Sequence, residues 1–277
     1  MNNRIKEQFW GFVKTPPLWN KTPLFGLTQF EFPQIKETDD FSPTYEIPEL
    51  NSNFVLGKRM EFFFDHLLQH SEKYEVIVKN LQIFKGKITL GEIDFLIKDR
   101  KTSTPYHIEL VYKFYLYDPS FKDPAARWIG PNRKDSLLQK ISRLEEQQLP
   151  LLYEKETLQI LNNYNLPVNE IEQQVCFKAT LFLPKGIKQP DTREINTSCF
   201  AGYWIRIGDF TNFEYGDKLF HSPPKQDWPI DPSANEEWVT YIEIHFQIME
   251  LLQKKRSPLI WMRSGNNYFE RFFVVWW

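Results

Sequence analysis

The chain has 277 residues, enough for one large domain or two small ones, and 42% apolar and 16% aromatic content supplies ample volume for a packed core. Thirty-four basic against thirty-six acidic residues give a formal charge of −2, which excludes a chain-wide cationic field of the kind that drives non-specific nucleic-acid binding but leaves room for a local basic groove. No run approaches the roughly 18 uncharged apolar residues of a membrane span, and the opening MNNRIKEQFW lacks the basic-then-apolar layout of a signal peptide, so the expectation is a cytoplasmic protein with no membrane partner.

Residues 1–55 are rich in proline and aromatics (KTPPLWNKTPLFG, EFPQIKETDDFSPTYEIPEL) and read as an arm wrapping the core, with a short helix near residues 4–13 and with Trp10, Trp19, Phe25 and Phe30 as anchors. From Gly57 the pattern changes, and Met60, Phe63, Phe64, Leu67 and Leu68 follow the spacing of an amphipathic helix. YEVIVKNLQIF then reads as a strand, KGK as a tight turn, ITLGEIDFLI as its antiparallel partner, and KDRKTSTP as a second turn leading into the strand YHIELVYKFYLY. WIGPNRKDSLLQKISRLEEQQL breaks at Gly130-Pro131 and becomes a helix with Leu137, Ile141, Leu144 and Gln148 at helical spacing. A weaker helix near 153–164, strands around 173–183 and 201–208, a proline-rich loop at 220–232 and a long helix over about 235–255 follow. That helix ends in KKRSP, with cations at the negative end of its dipole, and the tail YFERFFVVWW reads as a buried strand. Cys176 and Cys199 lie in apolar surroundings with no CxxC spacing and read as small buried thiols.

The second and third strands carry ionisable residues where core strands carry valine. Side chains alternate between faces, so Glu92 and Asp94 share one face of the second strand, and His107, Glu109, Val111, Lys113 and Tyr115 share one face of the third. A solvated face of a half-exposed sheet is one explanation. The other follows from pairing: Asp94 and Glu109 converge, and two carboxylates in a partly dry site repel unless a cation sits between them, the hard oxygen ligands favouring Mg²⁺ or Mn²⁺.

A helix with a glutamate, a β-meander whose second strand carries an aspartate and whose third carries an acid followed by a lysine, and a further helix together resemble the restriction-endonuclease-like core of the PD-(D/E)XK nuclease superfamily. More narrowly, LGEIDFLI, HIELVYKFYL and WIGPNRKDSLLQKISRLEEQQL resemble signature blocks of an uncharacterised bacterial domain-of-unknown-function family of that superfamily, a likeness that extends to KTPPLWN and RFFVVWW. The resemblance implies an α/β fold, a mixed sheet around helix, antiparallel meander, helix and further strand, with helices on its faces. Its expected organisation is one domain over 1–277, with the arm at 1–55, the nuclease-like core at 57–150 and completing strands and C-terminal helix at 151–277.

Position by position, the resemblance implies that Asp94 is the metal-binding aspartate and Glu109 the acid of the D/E-x-K motif. The usual lysine position holds Val111, so the catalytic ammonium is expected from Lys113, about 6.6 Å further along the strand, or from Lys140 on the following helix. Glu61 matches the extra acid that some members place on the first helix, and is equally an ordinary surface carboxylate; Glu92 is a further candidate. Arg133, Lys134 and Arg143, with Lys85, Lys87 and Lys140, are placed to contact phosphates or to be plain surface charge. The implied activity is a Mg²⁺- or Mn²⁺-dependent nuclease hydrolysing phosphodiester bonds in DNA or RNA. The alternative is a catalytically degenerate nuclease-like scaffold that binds nucleic acid or protein, suggested by the displaced lysine and the neutral charge. Carbohydrate or small-ligand binding rests only on the aromatics, which core packing explains better. No G-x-x-x-x-G-K-[ST] or GxGxxG is present, so no nucleotide cofactor is expected, and HLLQH has the i, i+4 histidines of a zinc helix without its glutamate.

Overall fold

The computed structural model describes residues 3–20, 23–32, 50–51, 53–190, 194–265 and 268–277. The proline-rich segment 33–49 of the expected arm lies outside the described residues. In chain order the elements are α1 (Asn3–Lys14), α2 (Leu56–Gln69), β1 (Tyr74–Lys85), β2 (Ile88–Asp99), β3 (Pro105–Tyr117), β4 (Trp128–Ile129), α3 (Leu137–Arg143), α4 (Lys155–Asn163), β5 (Glu172–Pro184), β6 (Phe200–Arg206), α5 (Asn212–Tyr215), β7 (Leu219–His221), α6 (Tyr241–Gln253), β8 (Leu259–Ser264) and β9 (Tyr268–Val275). The strands form a mixed sheet in the order β1-β2-β3-β5-β6-β9-β8-β7, with β4 paired to β3. β6 runs parallel to both β5 and β9, whereas the β1-β2-β3 meander and β7-β8-β9 are antiparallel.

Contacts divide the chain into two units interleaved in sequence, one of residues 17–112 and 139–178, the other of 1–16, 113–138 and 179–277. In the first, the apolar stripe of α2 behaves as its spacing requires: Met60, Phe63, Phe64, Leu67 and Leu68 are all buried. Phe64 meets Phe95 of β2 edge-on at 4.9 Å and Phe30 at 5.9 Å. The arm is held by backbone hydrogen bonds, Leu18 N–H to the Phe177 carbonyl at 2.8 Å and Phe30 N–H to that of Val175 at 2.9 Å. Trp19 and Phe30 are therefore buried anchors, whereas Phe25 occupies a turn closed by the Leu27 N–H to Leu24 carbonyl bond, with φ 52, and is 38% exposed. At the other end of the meander, Gly86 in the KGK turn adopts φ 62, a conformation that costs glycine nothing.

In the second unit the core gathers on one side of α6, where Ile244 and Ile248 pack with Phe210, Phe220, Ile260 and Phe272. The helix starts later than its apolar run suggests. Thr240 caps it in a capping box with Glu243, and residues 232–234 form a separate 3-10 turn. β7 and β8 were not anticipated from the sequence: β7 is three residues inside the proline-rich stretch, and β8 follows a proline stop closely. Cys176 and Cys199 are both buried free thiols, and burial pushes the Cys176 thiol up to about 12.

Two glycines of this framework behave oppositely on substitution. A Cβ at Gly202 would lie 2.0 Å from the Arg271 carbonyl oxygen, a backbone atom of the neighbouring β9, whereas one at Gly57, in the first turn of α2, meets nothing within 4 Å. Gly202→Ala is expected to destabilise by about 2 kcal/mol or more, and Gly57→Ala to stabilise by about 0.5–1 kcal/mol through helix propensity, as read by urea denaturation.

Candidate functional site

The candidate residues on β2 and β3 meet inside the first unit. The paired register runs from Lys98 opposite Pro105 to Phe95 opposite Ile108. Asp94 and Glu109 occupy the next positions, and there the Asp94 side chain enters the ladder: Oδ2 accepts the Leu110 backbone N–H at 2.9 Å. Glu109 has no exposed surface, so the solvated-face explanation does not apply to it. Its carboxylate is held on both sides, with Oε1 2.9 Å from His107 Nε2 and Oε2 accepting from Gln148 Nε2.

The neighbouring hydrogen bonds fix the tautomer of His107. Gln173 Nε2 lies 2.7 Å from the Leu149 carbonyl oxygen and 2.9 Å from His107 Nδ1. A carbonyl can only accept, so the atom facing it is the amide nitrogen, which donates its other hydrogen to Nδ1. Nε2 of the imidazole therefore carries the proton and donates to Glu109, an assignment made from the network rather than from visible hydrogens. His107 is fully buried and orients the acid, and Gln173 in turn holds its Nδ1.

Gln148 reaches Glu109 because the helix changes pitch. α3 continues into a π turn over Leu144–Gln148, closed by the Leu149 N–H to Leu144 carbonyl bond at 2.9 Å. The turn absorbs one residue, so Gln148 stands about 20° around the axis from Lys140, where an uninterrupted α-helix would set it about 80° away. Regular spacing aligns Gln148 with Ile141 and Leu144; the π turn instead brings its Oε1 to 2.6 Å from Lys140 Nζ. A continuous line of hydrogen bonds, Lys140 to Gln148 to Glu109, results.

Asp94 is the strained member. Desolvation first, and then the charge of Glu109, push its carboxyl up to about 8; Glu61 adds to the shift, while the Leu110 N–H and the Lys140 ammonium oppose it. Glu109, Glu61 and Lys140 thus all act electrostatically on Asp94. Glu61 and Glu92 form an adjoining network: Lys58 Nζ donates to Glu61 at 2.6 Å and to Glu92 at 3.2 Å, and the Asn80 amide bridges the same two acids at 2.9 and 3.1 Å. Burial works against ionisation of Glu92, but hydrogen bonds from Asn80, Lys58 and Gln82 outweigh it and hold the carboxyl below its usual range.

Lys113 is paired within the other unit, its ammonium 2.5 Å from Asp135 Oδ2. The physical reason is local, since Asp135 is fixed beside it by the Gly130 turn, whose N–H bonds the Asp135 carbonyl at 2.8 Å. Arg133 is likewise engaged in that unit, paired with Asp118 and stacked 4.2 Å over the Trp277 ring, while Lys134 is exposed. In the first unit Arg143, Lys85 and Lys87 are exposed, and the rings of His66 and His70 lie 4.4 Å apart with burial lowering His66 to about 4. Sequence reasoning missed Lys58, Asn80 and Gln173, and did not assign His107 or Gln148 as hydrogen-bond partners of Glu109. The available signals were an asparagine inside an apolar strand and a histidine two residues from the acid on the same strand face.

The model of the family described as Domain of unknown function (DUF1853) matches residues 9–275, so the chain belongs to that family. No curated protein and no solved structure matches the chain at a significant level.

The raised Asp94 carboxyl predicts how stability varies with pH. An unfolded aspartate titrates near about 3.9, so between there and about 8 the folded protein binds more protons than the unfolded one, and stability falls as pH rises through that window. In chelator-treated protein, Asp94→Asn is expected to flatten this decline and melt above wild type at pH 8. A wild-type melting temperature that rises from pH 5 to 8, with no difference in the variant, would contradict the placement of the charge.

Proposed function

We propose that this DUF1853 protein is a metal-dependent phosphodiesterase of the PD-(D/E)XK kind, acting on DNA or RNA, with its ammonium supplied by Lys140 rather than Lys113. The observation that carries the reading is the juxtaposition of Asp94 and Glu109, two acids on neighbouring strands, with Lys140 acting on Asp94 through charge and linked to Glu109 through Gln148. A restriction-endonuclease-like reading of α2, the β1-β2-β3 meander and α3 is consistent with that arrangement.

The acid pair fits a hard divalent cation. Among the described residues no three His, Cys, Asp or Glu side chains gather as a ready metal set. Mg²⁺ retains several of its waters and takes one or two carboxylates, which suits a pair better than a cage. Repulsion between Asp94 and Glu109 is what a cation would relieve, and relief would let Asp94 ionise at neutral pH. When bound, Mg²⁺ or Mn²⁺ supplies a water of lowered pKa and polarises the phosphoryl oxygens.

The chain's own residues have separable roles in this reading. Asp94 and Glu109 hold the cation. His107 and Gln148 each occupy one Glu109 oxygen, fixing its orientation as outer partners fix a ligand. Lys140 presents positive charge to the phosphate as negative charge builds on its non-bridging oxygens. Exposed Arg143, Lys85 and Lys87 supply phosphate contacts from the same unit, while Arg133, committed to Asp118 and Trp277, is a structural cation.

The degenerate-scaffold reading draws support from one specific feature: both Glu109 oxygens already have partners without a cation. Metal titration and cleavage separate the two. Mn²⁺ at about 100 times its dissociation constant should stabilise wild type by about 2.7 kcal/mol, an effect abolished in Asp94→Asn and Glu109→Gln. Lys140→Met should retain metal binding and lose about 10²-fold or more in cleavage of labelled single- and double-stranded DNA and RNA, while Lys113→Met should cleave like wild type. Absence of any metal-dependent stabilisation, with no cleavage, would replace the enzyme by the scaffold.

A further inference from the structure

The β1-β2 hairpin reaches past its neighbour. β2 pairs with β3 only as far as Phe95 opposite Ile108, whereas β1 and β2 stay paired out to Lys85 opposite Ile88. One side of this extension is committed to the core: Ile83 and Ile93 are fully buried and pack with Leu151, Leu152 and Leu161, and a Cβ at Gly91 would lie 2.8 Å from a Leu151 methyl. The other side belongs to the candidate site. Strand alternation sets Leu90 and Glu92 on the face of Asp94, and Gln82 reaches Glu92 from β1 at 3.3 Å. Towards the turn this face becomes apolar. A register shift falls between buried Ile83 and Phe84, and Phe84, Ile88 and Leu90 are 48%, 68% and 37% exposed.

The charge at the tip selects what meets these side chains. Lys85 and Lys87 flank Gly86 at the apex, both exposed, and neither has a carboxylate partner among the described residues. No acid lies between Gln82 and Gly91. We propose that the hairpin tip is the contact for an unpaired stretch of DNA or RNA, whose bases stack on Phe84 and pack against Ile88 and Leu90 while its phosphates meet Lys85 and Lys87. This rests on the reading of Asp94 and Glu109 as a phosphodiesterase site, and it narrows the substrate to strands with unpaired nucleotides. A duplex offers the two lysines the same phosphates but keeps the faces of its bases inside the stack, so an exposed ring beside them serves an unpaired strand. Thr89, opposite Phe84, is five residues along β2 from Asp94, about 17 Å of strand, so one strand of nucleic acid laid along this face reaches both. An anionic lipid surface would also take lysines and apolar side chains at the tip, but it gains nothing from the acid pair further along the same face.

Fluorescence anisotropy on the full chain tests this, with labelled single strands and blunt duplexes of equal length, in DNA and in RNA, and with Ca²⁺ in place of Mg²⁺. Wild type should hold single strands more tightly than duplexes. Phe84→Ala should weaken single-strand binding about tenfold and leave duplex binding within about twofold, with an unchanged thermal melt because the ring is exposed. Lys85→Ala combined with Lys87→Ala should weaken both substrates and lower the salt slope of single-strand binding by about 1.4. Cleavage with Mn²⁺ is read separately. A wild type that binds through Phe84 but does not cleave would remove the phosphodiesterase reading and leave the contact, whereas a cleaving enzyme whose Phe84→Ala variant binds single strands as tightly as wild type would overturn the contact and leave that reading. A wild type that binds neither substrate, that holds duplex at least as tightly as single strand, or that needs Phe84 only for phosphatidylserine-containing vesicles would likewise overturn the proposal.

Discussion

A carboxylate with no exposed surface is the constraint around which the first unit is arranged. Glu109 cannot be left without hydrogen-bond donors, because a buried charge with unmet lone pairs costs several kcal/mol. Two donors reach it from opposite directions, and each has its own requirement. Gln148 arrives only because α3 widens into a π turn, and His107 donates only because Gln173 holds its other nitrogen. Residues 107, 109, 148 and 173 are thereby tied to one another through a single side chain. An apolar residue of the same volume at 109 would need none of this, so the cost of the arrangement is understandable where the acid itself is used.

Asp94 shows what the arrangement leaves unresolved within the protein. Its Oδ2 takes a backbone N–H where the β2-β3 register stops, and its remaining environment is a neighbouring carboxylate and a partly dry surface. The adjoining acids Glu61 and Glu92 do not share this condition, since Lys58 and Asn80 satisfy both. Asn80 does so from the interior of β1 with φ 50, between Lys79 opposite Phe95 and Leu81 opposite Ile93. A side chain amide in a left-handed backbone position, with donors aimed at two acids, separates the hydrogen-bonded acids Glu61 and Glu92 from Asp94, whose carboxyl its neighbours push up.

In the other unit one arginine is engaged in packing contacts. Arg133, also at positive φ, pairs with Asp118 and lies over Trp277, so a cation that reads as a phosphate contact closes the C-terminal aromatic residues onto a loop. Ser257 N–H to Asn132 Oδ1 at 2.8 Å and Trp277 Nε1 to the Pro131 carbonyl at 3.1 Å complete that closure. α6 lies in this unit with one apolar side committed to the core and the other outward, a division set by which residues fall on which side of the helix rather than by its overall hydropathy.

Periodicity in the sequence by itself determined α2, the three-stranded meander, β5, β6 and β9. In each of these a run of apolar residues at period 3.6 or 2 is long enough to have one way of burying itself. Strand alternation likewise placed Asp94 and Glu109 on facing sides, because a one-residue slip would have exposed Ile93, Phe95 and Ile97. Short elements were not legible: β4, β7 and α5 have two to four residues, too few to carry a period, and their pairing comes from neighbours distant in sequence. The partners of the two candidate lysines were decided only in three dimensions. The motif pointed first to Lys113 and then to Lys140; the Gly130 turn delivers Asp135 to Lys113, and the π turn ties Lys140 through Gln148 to the buried acid. Both are departures from regular backbone geometry, and a pattern that assumes regular geometry has no means of registering them.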